Sequence, residues 1–303
     1  MINQGEKGMI KIQRLGHATI ETPELERAVE YHQQLNGLNV VGRDGAGVHL
    51  ATKVGQLAMT LVEARHAHCS RLSFEVAPDA DFSAYAKELT NAGISNQIRS
   101  DPFPGTPQVL TFNDCDGTTI DLFREWTFQD ADPRGGGLGP LKLGHMAFFA
   151  PDVQRKVAFY RDLLSFRVSD WIGDHFVFMR CNTDHHTVNF FQGDGPRLHH
   201  MAFELKDFSH MQQCCEILAS LRIRIGWGPL RQGPGHNIAV YHRNPDDQVV
   251  EYYCELDQMK NEDLGYFDPR PWHEDRPQRP KVWEPGTWTS GWGTPPAPGF
   301  MRN

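Results

Sequence analysis

Residues 12–40 read IQRLGHATIETPELERAVEYHQQLNGLNV, where an apolar-polar alternation gives way after Pro23 to apolar residues at helical spacing and then to a second alternating run. Alternating side chains lie on one face of a strand, and those three or four apart lie on one face of a helix. The segment therefore predicts strand, short turn, amphipathic helix and second strand. Residues 140–168, PLKLGHMAFFAPDVQRKVAFYRDLLSFRV, align with it without a gap. Further on, SRLSFEV (70–76) matches HHMAFEL (199–205), and NDCDGTTIDLF (113–123) matches NPDDQVVEYY (244–253) with one residue gapped. Similarity over such a range means one supersecondary unit used twice.

The repeat sets the expected organisation: an N-terminal extension at 1–9, a first module at 10–128, a linker at 129–140, a second module at 141–257 and an arm at 258–303. The linker, QDADPRGGGLGP, has the Asp, Pro and Gly content of a plain connection. Each module should run strand, helix and strands twice. This is an α+β fold of tandem βαβββ modules forming curved mixed sheets, with helices on the outer face and a concave inner face that serves as a cup. The arm holds Trp272, Trp283, Trp288 and Trp292 among many prolines. Prolines exclude a regular helix or central strand there, and the aromatic content argues against pure disorder. An extended arm packed over its own domain or a neighbouring subunit is expected, and with it a homo-oligomer.

Composition narrows the partners. With 30 Lys and Arg against 38 Asp and Glu, the net charge is −8, and the basic residues are scattered rather than striped. Nucleic acid and anionic membrane surfaces are therefore not expected partners. No run of about 18 apolar residues occurs and the first residues lack the apolar region of a signal peptide, so a cytoplasmic protein is expected. The six cysteines show no paired spacing and read as free thiols.

Sorting strand residues by face brings out candidate chemistry. In 199–205, His200, Ala202 and Glu204 share one face, whereas His199 goes with Met201, Phe203 and Leu205 toward the packed side. In 145–149, His145 shares its face with Ala147 and Phe149. In both copies the histidine aligned by the repeat lies beside a small residue. A turn around Pro245, Asp246 and Asp247 places Tyr241 across a hairpin from Glu251. A carboxylate in the apolar strand VVEYY is costly to bury without a cation or donor. Two imidazoles and one carboxylate make the facial triad that suits non-haem Fe(II) and leaves positions open for other ligands. The same pattern would also fit two core histidines bonded to backbone and a glutamate facing an arginine. The equivalents in module one are His17, Arg71 and Asp121, where the arginine would repel a metal and pair with the aspartate.

At these residues the chain resembles the type I extradiol ring-cleavage dioxygenases of the vicinal oxygen chelate superfamily, which includes catechol 2,3-dioxygenases and biphenyl-2,3-diol 1,2-dioxygenases. The resemblance covers most of 10–257. It is best where LGHMAFFAPDVQRKVAFYRDLLSFRVSD, CNTDHHTVNF, RLHHMAFEL and YHRNPDDQVVEYY follow in order. It implies the vicinal oxygen chelate, or glyoxalase-like, fold. It implies His145, His200 and Glu251 as ligands of Fe(II), with Mn(II) as the alternative metal. His186 matches the family's histidine near bound dioxygen, thought to act as acid or base, and Tyr241 matches the tyrosine that hydrogen-bonds a substrate oxygen. Where the family usually has a further histidine nine residues before that tyrosine, this chain has Gln232. A glutamine cannot transfer a proton near neutral pH. Either Gln232 only orients substrate, or His236 supplies the imidazole, or the substrate is unusual, with His236 slightly favoured.

The implied activity is cleavage of a catechol-type diol beside its hydroxyls, with both atoms of O2 incorporated, in aromatic catabolism. Phe149, Trp171, Phe190 and the arm tryptophans point to an aromatic pocket roomy enough for a substituted or bicyclic diol. A hydroquinone- or trihydroxy-aromatic-cleaving relative and a non-catalytic ligand-binding member of the superfamily are the competing readings. A glyoxalase-like isomerase, which draws ligands from both modules, is disfavoured by Arg71.

Overall fold

The computed structural model describes residues 8, 10–268, 277–286 and 291–301. Most of the expected N-terminal extension, and Trp272 and Trp288 of the arm, lie outside the described residues.

The first repeat unit runs β1 (Ile12–Thr22), α1 (Leu25–Tyr31) with a π turn at His32–Asn36, β2 (Asn39–Asp44), β3 (Gly47–Ala51) and β4 (Leu57–Glu63). The second runs β5 (His68–Val76), α2 (Phe82–Asn91), β6 (Asn96–Phe103), β7 (Thr106–Asn113) and β8 (Thr119–Phe123). Within each unit the first strand pairs in parallel with the last, and the two units join through antiparallel β1 and β5. The eight strands lie in the order β2-β3-β4-β1-β5-β8-β7-β6.

Module two repeats this plan. It comprises β9 (Lys142–Ala150), α3 (Val153–Asp162), β10 (Arg167–Ile172), β11 (Phe176–Arg180) and β12 (Val188–Gln192), then β13 (Arg197–Glu204), α4 (Phe208–Ser220), β14 (Ile225–Arg231), β15 (Ile238–Arg243) and β16 (Val249–Cys254). The arm adds a strand to each edge: β17 (Lys281–Trp283) lies parallel to β10, and β18 (Trp292–Gly293) lies antiparallel to β14. The arm thus covers part of β10 and of β14 and leaves short outermost strands, which reduces the row of open backbone donors and acceptors at each edge. The arm packs over its own module. This is the curved mixed-sheet α+β architecture of the vicinal oxygen chelate fold.

The repeated Leu-Gly-His phrase has a packing cause. A Cβ on Gly16 would collide with the ring of Phe123, and one on Gly144 with the hydroxyl of Tyr253. Phe123 and Tyr253 are themselves repeat equivalents, so in each module an aromatic residue of the last strand lies on the glycine of the first. Only glycine admits that approach.

The outer faces carry the core. Met146, Met201 and Phe203 on the sheet and Val153, Val157 and Tyr160 of α3 belong to one buried cluster that continues through Leu72 and Phe74 of module one. The modules also meet through polar contacts: buried Lys156 donates to Asp114 at 2.7 Å, and the Tyr31 hydroxyl lies 2.6 Å from His242 Nε2. None of the six cysteines forms a disulfide among the described residues. Among the described residues, no helix is long and apolar enough to cross a membrane.

Candidate metal centre

Three neighbouring strands bring the centre together. In the β9–β13 ladder Ala202 lies opposite His145, and in the β13–β16 ladder Ala202 lies opposite Glu251. The small residue leaves His145 and Glu251 room to converge above it, and His200 joins them two residues along the same face. His145 Nε2 lies 3.0 Å from Glu251 Oε2 and 3.3 Å from His200 Nε2, and His200 Nε2 lies 3.3 Å from Glu251 Oε2. All three residues are buried.

The donor set fits a divalent cation. Donors about 3.0–3.3 Å apart are spaced as adjacent vertices around an ion with bonds of about 2.1–2.3 Å. The two imidazole Nε2 atoms face each other and the carboxylate rather than backbone, and no arginine meets Glu251 among the described residues. Burial pushes the Glu251 carboxyl up, but the imidazoles of His145 and His200 outweigh it and bring it down to about 2. Burial holds His200 below the ordinary histidine range against the opposing pull of Glu251. Both states, carboxylate and neutral imidazole, are those that ligate metal. Asn237 donates from Nδ2 to Glu251 Oε1 at 3.0 Å, leaving Oε2 to the centre. Asn237 was not anticipated from the sequence, where nothing separates it from an ordinary residue entering a strand.

His199 departs from expectation. Pairing between β13 and β9 slips by one residue between Leu198 and His200, so His199 sits in a bulge rather than in regular alternation. It does not turn into the packed side with Met201. Instead it lines the same cavity as His200, its ring stacks on Phe191 at 4.3 Å, and its Nδ1 lies 2.6 Å from His200 Nδ1.

The centre opens into a cavity of about 330 Å³ walled by Phe149, Phe176, Phe178, Phe191 and Trp227, with Pro296 and Met301 of the arm. Trp171 and Phe190 do not line it, contrary to expectation; Phe190 packs on Tyr160 at 4.8 Å on the helix side. Among the arm tryptophans, Trp292 rests near Phe208 and Trp283 bonds to Asp170, and neither lines the cavity. Asn189 Oδ1 and Trp227 Nε1 are buried without a hydrogen-bond partner among the described residues, although both side chains line the cavity.

The remaining candidates separate. Tyr241 pairs directly with Glu251 in the β15–β16 hairpin, stacks on Trp227 at 4.9 Å, and accepts a hydrogen bond from Gln232 Nε2. Burial raises its hydroxyl well above the usual tyrosine range. His186 lines the cavity with its ring 4.3 Å from that of His145. Gln232 lines the cavity, but His236 does not. His236 lies behind it, with Nδ1 2.6 Å from Asp257 Oδ2 and its carbonyl accepting from Arg231.

Module one's equivalents are arranged otherwise. Arg71 Nη1 contacts both oxygens of Asp121 at 2.7 Å, and Thr111 donates to the same carboxylate at 2.6 Å. His17 lies 4.6 Å from Phe103, and burial, with help from His49 and Arg71, brings its imidazole down to about 3. The space beside it is about 10 Å³, so aromatic side chains fill what is a cup in module two.

Comparison with known proteins agrees with the geometry. The profile of the Glyoxalase/Bleomycin resistance protein/Dioxygenase superfamily matches residues 142–252. The chain is 22% identical over 281 residues to a metapyrocatechase of Pseudomonas sp. (strain CF600), covering 86% of this chain and 90% of that protein. It is 26% identical over 305 residues to a 2,2',3-trihydroxybiphenyl dioxygenase of Sphingomonas paucimobilis, covering 90% and 97%. Among solved structures, a substrate complex of homoprotocatechuate 2,3-dioxygenase from Brevibacterium fuscum superposes with a TM-score of 0.81 at 24% identity, covering 100% of this chain and 95% of that one. Residues 142–252 thus match the Glyoxalase/Bleomycin resistance protein/Dioxygenase superfamily, and along most of its length the chain is similar to a metapyrocatechase and to a trihydroxybiphenyl dioxygenase.

Proposed function

We propose that the protein is an Fe(II)-dependent extradiol dioxygenase that cleaves an uncharged, substituted or bicyclic aromatic diol beside its hydroxyls and adds both atoms of O2. The observation that carries this reading is the convergence of His145, His200 and Glu251 at the floor of an aromatic cavity that also holds Tyr241 and His186. Two imidazoles and one carboxylate suit Fe(II), and Mn(II) accepts the same donors. When bound, the metal would supply Lewis acidity toward the diol oxygens and a route for electrons from the ring to dioxygen.

The chain's own residues would do the rest. Phe149, Phe191 and Trp227 bind the flat ring and exclude water. Tyr241 accepts from Gln232 and directs its O–H toward Glu251, from which it would turn to donate to a substrate oxygen. This assigns Gln232 to orientation and leaves proton transfer at the cavity to His186, with His236 supporting the loop behind. No lysine or arginine lines the cavity among the described residues, so a carboxylate on the substrate would go unpaired. On this reading 141–257 is the catalytic domain and 10–128 its metal-free counterpart, and the enzyme works as a cytoplasmic homo-oligomer, which light scattering of purified protein tests.

Anaerobic loading with Fe(II), followed by oxygen uptake against a panel of catechols, tests the activity. Uptake stoichiometric with an uncharged diol supports it. Failure to bind one metal per chain, or uptake independent of any diol, contradicts it.

A further inference from the structure

A buried chain of hydrogen bonds runs from the arm to His186. Asp170, in β10, is 1% exposed, and a carboxylate so placed requires donors. It has three. Its Oδ1 accepts from the backbone N–H of Lys281 at 2.9 Å, and its Oδ2 accepts from Trp283 Nε1 at 2.8 Å and from His185 Nε2 at 3.0 Å. Two of the three donors belong to β17. His185 is fully buried against the ring of Phe267 at 4.8 Å, and its Nδ1 lies 3.0 Å from Nδ1 of His186.

With His185 as a neutral imidazole, these contacts order the protons. A carboxylate oxygen only accepts, so His185 carries its hydrogen on Nε2. A neutral imidazole has one N–H, and His185 Nδ1 therefore presents a lone pair. Across the 3.0 Å contact His186 then donates from Nδ1, which leaves Nε2 with the lone pair, as the nitrogen of that ring open to a ligand in the cavity that His186 lines. A partner that fixes one imidazole nitrogen decides what the other can do.

We propose that Asp170, His185 and Trp283 are positioning residues that hold His186 in the Nδ1–H tautomer with Nε2 available to accept a proton, so that β17 of the arm is part of the active centre. The catalytic meaning of that tautomer rests on the dioxygenase reading. The tautomer itself does not.

Ring nitrogen-15 spectra of the protein carrying a diamagnetic metal read the tautomers directly, with the two rings assigned by loss of signal in His185→Gln and His186→Gln. The wild type should show Nε2–H on His185 and Nδ1–H on His186. Asp170→Asn, whose amide cannot accept from all three donors, and the milder Trp283→Phe should each leave His186 a mixture of tautomers. With Fe(II) loaded, kcat should fall roughly 10–100-fold in the first and less in the second, with metal content unchanged and KM within about threefold. An Nε2–H tautomer on His186 in the wild type overturns the proposal, as do unchanged tautomers in both variants or losses that follow metal content. If the wild type turns over no diol, the dioxygenase reading falls while the spectra still decide the relay.

Discussion

His199 Nδ1 lies 2.6 Å from His200 Nδ1, an approach that regular strand alternation forbids and the bulge in β13 permits. One histidine of the pair completes the triad, and the other holds its outward nitrogen. Residues that bond to a metal ligand's second nitrogen tune its orientation, and their loss costs roughly 10–100-fold in affinity. His200→Ala should therefore abolish stoichiometric metal binding, while His199→Ala should still bind one metal per chain with affinity weakened by about that factor. Metal analysis with calorimetric titration separates the two, and full metal loss in His199→Ala alone would contradict the assignment.

Tyr241→Phe removes one hydroxyl and keeps the ring that stacks on Trp227. If that hydroxyl donates to a substrate oxygen during turnover, kcat should fall by about 100-fold or more with the fold and metal content retained. Steady-state kinetics beside metal analysis checks this.

The cavity wall predicts selectivity. A carboxylated diol entering an aromatic cavity of about 330 Å³ with no cationic lining among the described residues loses hydration without gaining a partner. Its kcat/KM should be about 100-fold below that of an uncharged diol of similar size, a difference of about 2.7 kcal/mol. A substrate panel read by oxygen uptake measures the ratio, and equal values would sink the idea.

Stability should fall on mild acidification through module one and the inter-module contact. His17, His32 and His242 are each brought down to about 3 by burial, with His49 and Arg71 adding to the effect at His17 and His242 at His32. In the unfolded chain each binds its proton near 6.5, so below that pH the unfolded state takes up protons that the native state refuses. The stabilisation is complete above about pH 6.5 and is lost at about 1.4 kcal/mol per pH unit for each histidine as pH falls toward 3. Denaturant midpoints between pH 7.5 and 5 should decline, and His17→Leu should reduce the slope by about one histidine's share. An unchanged slope in that variant would contradict it.

Legibility in the sequence followed periodicity. The hairpin that sets Tyr241 against Glu251 could be read because strand alternation is strict on both sides of a turn marked by Pro245 and Asp247. Arg71 against Asp121 could be read because the repeat supplied the register. The bulge at His199 left no signal, since one extra residue in a ladder depends on the partner strand rather than on local composition. The Asp170–His185–His186 chain joins β10, the segment before β12 and the arm, and only the folded sheet brings these together. Gln232 in the cavity with His236 behind it was likewise settled by the turn after β14, in which His236 takes a φ of 46°.

The most direct test of the central claim is turnover of an uncharged diol under labelled dioxygen by the Fe(II)-loaded protein, with the ring-opened product weighed by mass spectrometry. The account predicts that both labelled oxygen atoms enter the product and that the product disappears in His145→Ala. An unlabelled or singly labelled product before exchange, or the same product from His145→Ala, would contradict it.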